Sequence, residues 1–157
     1  MDNHEYLTQE KYDEFKKELD TLKHVRRKEV AEDLEYAKSL GDLSENAEYH
    51  EARDVQANIE DRIAHLENVL KTATIIAETK KSSKDAIGIG TTVSLKKEGQ
   101  SETKKYTIVG SEEADSTLGK ISMKSPLGLA LIGKKKGDVV TVQTPGGVAT
   151  HKIVDIQ

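Results

Sequence analysis

Gly41-Asp-Leu-Ser-Glu-Asn-Ala-Glu-Tyr49 interrupts a long helical pattern, and a second helical pattern begins immediately after it. On both sides of this segment apolar residues recur every three or four positions, which is the spacing of one helix face. Because the joining segment is only a few residues long, the two helices are predicted to be antiparallel neighbours. The segment is therefore the tip of a helical hairpin. It carries three carboxylates, those of Asp42, Glu45 and Glu48.

The apolar positions form one stripe on each predicted helix, and two such stripes can pack together as an antiparallel coiled coil. In the first arm the stripe slips, because the position expected after Leu22 falls on Arg26. Thr8 is predicted to be the N-cap of this arm, and the span from Thr8 to Leu40 is roughly 50 Å at the helical rise. The stripe residues are Tyr12, Phe15, Leu19, Leu22, Val30, Leu34 and Ala37 in the first arm, and Ala52, Val55, Ile59, Ile63, Leu66, Leu70 and Ala73 in the second.

After Thr79 the chain changes character. A polar segment at 80–85 reads as a linker, and from Gly88 onward Gly, Val, Ile and Thr dominate in alternating runs. Ser125 and Pro126 open a short predicted helix, as N-cap and first helical residue. The fold class is therefore α+β, with a coiled-coil hairpin at residues 1–80, its acidic tip at 41–49, and a small β-rich domain at 81–157. Strands are predicted at 91–95, 106–109, 120–123, 139–143 and 148–156.

Charge is distributed unevenly between the two halves. Residues 1–80 contain 20 acidic and 12 basic side chains, whereas residues 81–157 contain 12 basic and 8 acidic ones, which gives the net charge of −4. An acidic hairpin argues against general binding to duplex DNA, which needs dense cationic contacts. The chain has no cysteine and no apolar run of membrane-spanning length, so a cytoplasmic protein without a membrane partner is expected.

The tip carboxylates allow two interpretations. Asp42 and Glu45 are three residues apart and would share a face of a helical turn, where they could hold a divalent cation. Mg²⁺ often takes only one or two protein carboxylates and completes its shell with phosphate oxygens and water. A tip of this kind would act when inserted into a site that already holds a metal ion and RNA. The alternative is structural, because Asp42 followed by Glu45 is also a capping-box pattern for the second helix.

Two groups of basic residues lie on the hairpin. One is midway along the first arm, at Lys23 and residues 26–28, and the other pairs Lys38 with Arg53 near the tip. Each group is either a solvated helix face or a contact for a nucleic-acid backbone or an acidic channel wall. The sequence contains neither a phosphate-binding loop nor a nucleophile elbow, so nothing supports a self-contained enzyme. The histidines lack metal-ligand spacing and are expected at the surface; they are His4, His24, His50, His65 and His151.

The tip and its continuation, Gly41-Asp-Leu-Ser-Glu-Asn-Ala-Glu-Tyr-His-Glu-Ala-Arg53, closely resemble the bacterial Gre family of transcript cleavage factors, GreA type. The tip of that family reads Gly-Asp-Leu-x-Glu-Asn-Ala-Glu-Tyr, and every fixed letter is present here. A second block also resembles the family, namely Ser125-Pro-Leu-Gly-Leu-Ala-Leu-Ile-Gly-Lys134 with Gly137-Asp138 and Thr144-Pro-Gly-Gly147. Val25-Arg26-Arg27 matches as well. The resemblance extends from about Leu7 to Ile156.

The resemblance implies a mechanism. Members of the family insert the coiled coil into the secondary channel of backtracked RNA polymerase, whose own Mg²⁺-dependent activity then cleaves the nascent RNA. By matching position, Asp42 and Glu45 would help hold a second Mg²⁺ and position the attacking water, while Lys38 and Arg53 would contact the RNA near its 3′ end. The FKBP-like C-terminal domain would dock at the channel mouth, with Ser125 and Pro126 in the matching motif. A monomer is expected, because the channel admits one hairpin.

Three positions depart from the family pattern. Ser44 stands where a basic residue is common, and Gly128-Leu129 stand where Ala-Arg is common. Three other functions remain open: an antagonist that enters the same channel, a structural coiled-coil adaptor, and a prolyl isomerase suggested by the FKBP-like body. The isomerase is disfavoured because its aromatic-lined pocket would need more than Tyr106, which is the one aromatic residue of the predicted body. The intact Asp42 and Glu45 argue against the antagonist.

Overall fold

The computed structural model describes residues 4–76 and 86–157. The chain divides into two compact units. One is the helical unit Glu10–Ala73, and the other joins the described residues up to Gln9 with those from Thr74 onward. The domain boundary predicted at residue 80 lies outside the described residues. The first residues of the chain thus group with the β-rich unit, whereas the sequence prediction assigned them to the hairpin.

The first arm of the hairpin is a continuous helical segment in three parts. Helix α1 spans Gln9–Thr21, a single π-helical turn spans Leu22–Arg26, and helix α2 spans Arg27–Ser39. The backbone N–H of Arg27 donates to the carbonyl of Leu22, five residues earlier, which is the bond that defines the π turn. This turn holds one more residue than an α-helical turn would.

The π turn explains the slip in the apolar stripe. Leu22 and Val30 are eight residues apart, one more than two turns of a regular coiled-coil repeat. The π turn absorbs that extra residue, so Val30 returns to the side of the helix that faces the second arm. Val30 is 3 % exposed and packs with Ile59 and Ile63 of the second arm.

The second arm is one uninterrupted helix, α3, which spans Ala47–Thr72. Its predicted stripe is confirmed over most of its length. Near the base, however, Val69 takes the buried position and Leu70 is only partly buried, while Ala73 begins a strand. The buried seam residues are Phe15, Val30, Leu34 and Ala37 in the first arm and Ala52, Ile59, Ile63, Leu66 and Val69 in the second.

Ion pairs flank the seam and link the two arms. Arg27 forms two hydrogen bonds with the carboxylate of Glu60, at 2.7 and 2.6 Å, and thereby holds the pKa of that carboxyl below its ordinary value. Lys23 also pairs across the hairpin, with Glu67, and Arg26 pairs within its own helix. Three residues of the first basic group thus have acidic partners, which favours the solvated-face interpretation for them.

A short two-stranded sheet is formed by the residues that precede and follow the hairpin in the chain. Strand β1 spans Glu5–Thr8 and pairs with β2, Ala73–Ile76. The sequence analysis missed both strands. Leu7 is fully buried, and Thr8, the predicted N-cap, donates from its backbone N–H and its hydroxyl to Glu113 Oε1, at 3.1 and 2.5 Å.

The β-rich unit is built on a five-stranded sheet. Its strands are β3, Thr92–Lys97; β4, Thr103–Val109; β5, Lys120–Ser122; β6, Val139–Thr144; and β7, Gly147–Ile156. The five predicted strands are all present, with ends that differ by a few residues. Across the sheet their order is β5-β4-β3-β7-β6. Strand β4 pairs antiparallel with β3, β3 with β7 and β7 with β6, while β4 and β5 are parallel.

One short helix, α4, spans Pro126–Leu131 and closes the core of this unit. Leu131 is fully buried in a cluster with residues from the sheet, among them Val93, Ile108 and Ile153, each also fully buried. The predicted α+β fold, a helical hairpin followed by a small β-rich domain, is confirmed. Within the described residues, no helix is both long and apolar enough to cross a membrane.

Candidate functional site

The tip of the hairpin is a six-residue loop, Gly41 to Asn46, between α2 and α3. Leu40 is the C-cap of α2, and its backbone N–H donates to the carbonyl of Ala37 at 3.2 Å. Gly41 follows with a φ of +137°, a backbone conformation that side chains with a Cβ rarely adopt. The glycine thus allows the chain to leave the first arm and turn toward the second.

Asp42 shapes the start of the loop. Its Oδ1 accepts hydrogen bonds from the backbone N–H and from the hydroxyl of Ser44, both at 3.1 Å. This is an Asx turn, in which a short carboxylate replaces a backbone acceptor. Oδ1 is therefore fixed in direction, and Oδ2 has no hydrogen bond within the described chain. Ser44, which replaces a basic residue common in the family motif, is the donor for both bonds.

Asn46 caps α3, which corrects the capping-box interpretation. Its Oδ1 accepts from the backbone N–H of Tyr49 at 3.0 Å, and its backbone conformation is extended, as an N-cap requires. Asp42 and Glu45 lie outside the helix, so they do not form the predicted capping box. The assumption that they share one face of a helical turn is also wrong, because the loop between the helices is not helical.

The carboxylates of Asp42 and Glu45 are exposed and have no cationic partner among the described residues. Asp42 bonds only Ser44, and Glu45 forms no hydrogen bond or ion pair among the described residues. Two open carboxylates suit Mg²⁺, which accepts a small number of protein oxygens and fills its remaining positions with water and phosphate. Across residues 4–76 and 86–157, no group of three or more potential ligands surrounds a common point. A cation bound by these two carboxylates would need further ligands from water or from another molecule.

Lys38 and Arg53 occupy exposed positions on opposite arms near the tip. Lys38 lies in the last turn of α2, where a cation is favoured by the helix dipole. Arg53 lies in the second turn of α3, and its guanidinium donates to the side-chain oxygen of Gln56 at 3.5 Å. Neither side chain forms an ion pair in the part of the chain that the structure describes. Both remain available to an anionic partner.

The second motif begins at the N-terminus of α4. Ser125 is its N-cap: the hydroxyl oxygen accepts from the N–H of Gly128 at 3.0 Å, and the hydroxyl donates to the carbonyl of Ser122 at 2.7 Å. Both bonds of the Ser125 side chain are to neighbouring backbone groups, so this side chain stabilises the start of α4. Pro126 at the first helical position and Leu129, 65 % exposed, face solvent. These two residues form an apolar surface at the start of the helix.

The absence of a side chain at Gly128 has a structural reason. A Cβ at this position would lie 2.1 Å from the carbonyl oxygen of Ser122 and 3.0 Å from the Cα of Met123. Real Cβ atoms do not approach backbone so closely, so the loop before the helix packs against a space that only glycine leaves open. The structure thus gives a physical reason for glycine at this position.

Two family models together match nearly all of the chain. The model described as "Transcription elongation factor, N-terminal" matches residues 5–75, and the model described as "Transcription elongation factor, GreA/GreB, C-term" matches residues 82–157. The chain belongs to the GreA/GreB family of transcription elongation factors. The two matches divide the chain at residues 76–81, between the helical hairpin and the β-rich sheet.

Individual relatives agree with this assignment. The chain is 50 % identical to transcription elongation factor GreA of Clostridioides difficile over 157 residues, which covers 99 % of this chain and 98 % of the relative. It is 48 % identical to GreA of Chloroherpeton thalassium, with 100 % and 99 % covered. Among solved structures, the GreA factor homolog 1 (Gfh1) protein of Thermus thermophilus is 30 % identical with a TM-score of 0.44, and 99 % of each chain is covered.

In this GreA/GreB family member the tip carboxylates stay a prediction from the sequence, and the bonding role of Asn46 was not predicted. Asn46 makes two hydrogen bonds through its side chain, one to each arm. A signal was present: Asn is among the preferred N-cap residues, and Glu48 follows in the first turn of α3, where an acidic residue is favoured. The capping-box pattern of Asp42 and Glu45 competed with that signal.

Proposed function

We propose that this transcription elongation factor inserts its hairpin into the secondary channel of RNA polymerase and stimulates the polymerase's own hydrolysis of backtracked nascent RNA. The observation that carries the proposal is the pair of exposed carboxylates, Asp42 and Glu45, on the loop that joins the two arms. A packed hairpin about 45 Å long, at 1.5 Å per residue, can deliver such a loop into a deep channel. Family membership supports the same role.

The proposed chemistry is hydrolysis of a phosphodiester. The oxygen of a water molecule forms a bond to phosphorus while the bond from phosphorus to the 3′ oxygen breaks, which leaves a new 3′ hydroxyl on the retained RNA. A Mg²⁺ ion held jointly with the polymerase would lower the pKa of the attacking water and neutralise charge on the phosphate. Asp42 offers Oδ2, because Ser44 occupies Oδ1. Glu45 is exposed and has no partner in the described part of the chain, so it is free to accept a hydrogen bond from the water and orient it.

Lys38 and Arg53 are proposed to hold the extruded RNA. Both are exposed and lack acidic partners among the described residues, so no existing ion pair has to break before they bind phosphate. An arginine can contact a phosphate through two hydrogen bonds at once, whereas a lysine acts as a point charge. The two side chains would restrain the RNA while the carboxylates act on one of its phosphates.

The β-rich domain is proposed to dock on the polymerase at the channel mouth. Pro126 and Leu129 supply exposed apolar area at the start of α4, and Ser125 fixes the geometry of that start through its two hydrogen bonds. This assigns Ser125 an indirect role and Pro126 a direct one. A factor of this kind works as a monomer where the polymerase works, which in bacteria is the cytoplasm.

The test is RNA release from a stalled, backtracked polymerase complex, comparing the wild-type factor with Asp42→Asn and Glu45→Gln. Asn can still accept the bonds from Ser44, and Gln replaces a side chain that has no internal partner, so both variants should fold normally. Asp54→Asn is the matched control, because Asp54 is an exposed acid on α3 outside the tip loop. Binding of each variant to polymerase is measured by competition with labelled wild type.

We expect the wild type to accelerate RNA release, both tip variants to lose most of that acceleration while still binding, and Asp54→Asn to behave as wild type. Full activity of both tip variants would refute the role of the carboxylates and favour a structural adaptor. A wild-type protein that binds polymerase and slows synthesis without cleavage would instead identify a channel-binding antagonist.

A further inference from the structure

We propose that Asn46 is a positioning residue that holds the acidic tip loop by bonding both arms of the hairpin at once. Its carboxamide oxygen accepts from the backbone N–H of Tyr49 in α3, and its carboxamide nitrogen donates to the backbone carbonyl of Ala37 in α2. This inference rests on the proposed function, because the geometry that Asn46 fixes is that of Asp42 and Glu45.

The hydrogen bond from Asn46 to the first arm is short, and its acceptor residue, Ala37, is buried in the seam between the arms. The distance from Asn46 Nδ2 to the Ala37 carbonyl oxygen is 2.6 Å. Ala37 is only 2 % exposed, so it is a firm attachment point, and the same carbonyl accepts from the N–H of Leu40 at 3.2 Å. The orientation of the carboxamide is determined by its partners, because an N–H must face the oxygen and a carbonyl must face the nitrogen.

The bond from Asn46 to Ala37 closes a ring around the loop. Both tip carboxylates lie between these two residues in the chain, so the ring limits how far the ends of the loop can separate. The bonds between Asp42 and Ser44 shape the interior of the loop but connect neither arm. Nε2 of His50 lies 3.5 Å from the carbonyl of Ser44, which is at most a weak additional link to α3.

Among the preferred N-cap residues, only asparagine can make both bonds. Aspartate has the same shape and accepts equally well, but an ionised carboxylate cannot donate to the Ala37 carbonyl. Serine accepts and donates through one oxygen that lies closer to the backbone. Asp and Ser are also good N-caps. Substituting either one for Asn46 therefore tests the bond to Ala37 while the N-cap of α3 is kept.

The experiment uses full-length Asn46→Asp and Asn46→Ser in the same RNA-release assay, with Mg²⁺ varied. Both variants keep the cap and lose the bond to Ala37, aspartate because its carboxylate has no donor and serine because its hydroxyl is shorter than the carboxamide. The two variants differ in charge, so an effect common to both reflects the lost link. Helix content and polymerase binding are expected to stay near wild type. The release rate at limiting Mg²⁺ is expected to fall roughly 10- to 100-fold, the scale of a misplacement of about 1 Å, and to recover as Mg²⁺ approaches saturation.

The Mg²⁺ dependence separates positioning from the other roles. Variants of Asp42 and Glu45 remove ligands and should stay impaired at high Mg²⁺, whereas loss of positioning should raise the Mg²⁺ concentration needed for half-maximal rate. Unchanged rates and unchanged Mg²⁺ dependence in both Asn46 variants would overturn the inference. Loss of helix content or of polymerase binding would also overturn it, since Asn46 would then be a structural cap only.

Hydrogen–deuterium exchange of the free protein tests the role of Asn46 independently of the proposed function. In the wild type the N–H groups of Leu40 and Ser44 are hydrogen-bonded, so their exchange with solvent deuterium should be slowed. Both Asn46 variants are expected to accelerate that exchange, and equal exchange rates would refute the link. If the wild type binds polymerase without stimulating cleavage, the proposed function fails, and this exchange result alone decides whether Asn46 orders the loop.

Discussion

The π turn of the first arm can be tested by deleting one of its residues. Removing Val25 leaves Leu22 and Arg27 four residues apart, so the hydrogen bond that closes the π turn becomes an ordinary α-helical bond between the same two groups. The apolar stripe then continues in a regular repeat from Leu22 to Val30. The hairpin is therefore expected to survive a deletion in the middle of a long helix.

The size of the effect follows from what each deletion exposes. Val25 is 48 % exposed, so its removal should change the free energy of unfolding by less than about 1 kcal/mol. The control is deletion of Asp61, an exposed residue of α3, which contains no π turn. That deletion rotates the tip half of α3 by about 100° and turns Ile59 and Ala52 out of the seam. Together with the partners they lose, this should cost at least about 3 kcal/mol.

The assay is thermal unfolding followed by circular dichroism at 222 nm, which reports mainly on the hairpin. For a unit of this size, about 1 kcal/mol corresponds to roughly 4–8 °C in Tm. The Val25 deletion should thus melt within that interval of wild type, and the Asp61 deletion should melt at least about 12 °C lower. An equal decrease in Tm in both deletion variants would refute the reasoning, because Val25 would then contribute to the packing of the hairpin as much as a residue of a regular helix does.

Two further predictions concern other parts of the molecule. Gly128→Ala places a Cβ 2.1 Å from the Ser122 carbonyl oxygen and should destabilise the β-rich unit by about 1–3 kcal/mol in calorimetry; an unchanged or raised Tm would show that the loop moves freely. Glu18→Gln removes the carboxylate that accepts two hydrogen bonds from Arg62, at 2.6 and 2.9 Å, and should cost about 0.5–1 kcal/mol at neutral pH. Arg62 lowers the pKa of Glu18 below 4.5, so this stabilisation is present above the ordinary pKa and is lost as the pH falls through the lowered one. Urea midpoints of the two proteins should converge at a pH well below 4.5; a gap that persists there would contradict the assignment.

Much of the fold could be predicted from the sequence because local spacing encodes it. The apolar stripes predicted the hairpin. The slip after Leu22 marked the position of the π turn but did not predict its π-helical geometry. The strands of the β-rich domain alternate visibly, and Ser125 and Pro126 marked the start of α4. A role for the tip carboxylates in catalysis was predicted from the resemblance of their motif to a known family, whereas their spacing alone left two interpretations open.

The remainder depended on contacts between residues that are distant in the chain. Strand β1 has too few residues to show a period, and it forms because Leu7 is buried and Thr8 bonds Glu113, more than 100 positions later. The sequence could not show that the backbone of Ser122 lies close to Gly128. This close approach is the reason why a side chain does not fit at position 128.

The tip loop shows most clearly which features follow from the sequence alone and which depend on the tertiary structure. The sequence by itself determined that a short loop with two acidic residues joins two helices, because helix periodicity and its interruption are local properties. Only the tertiary structure decided which residue caps the second helix and which ties the arms together. Asn46 can bond Ala37 only after the arms have packed side by side, so this contact arises from the seam that brings both arms together and has no signature in residue spacing.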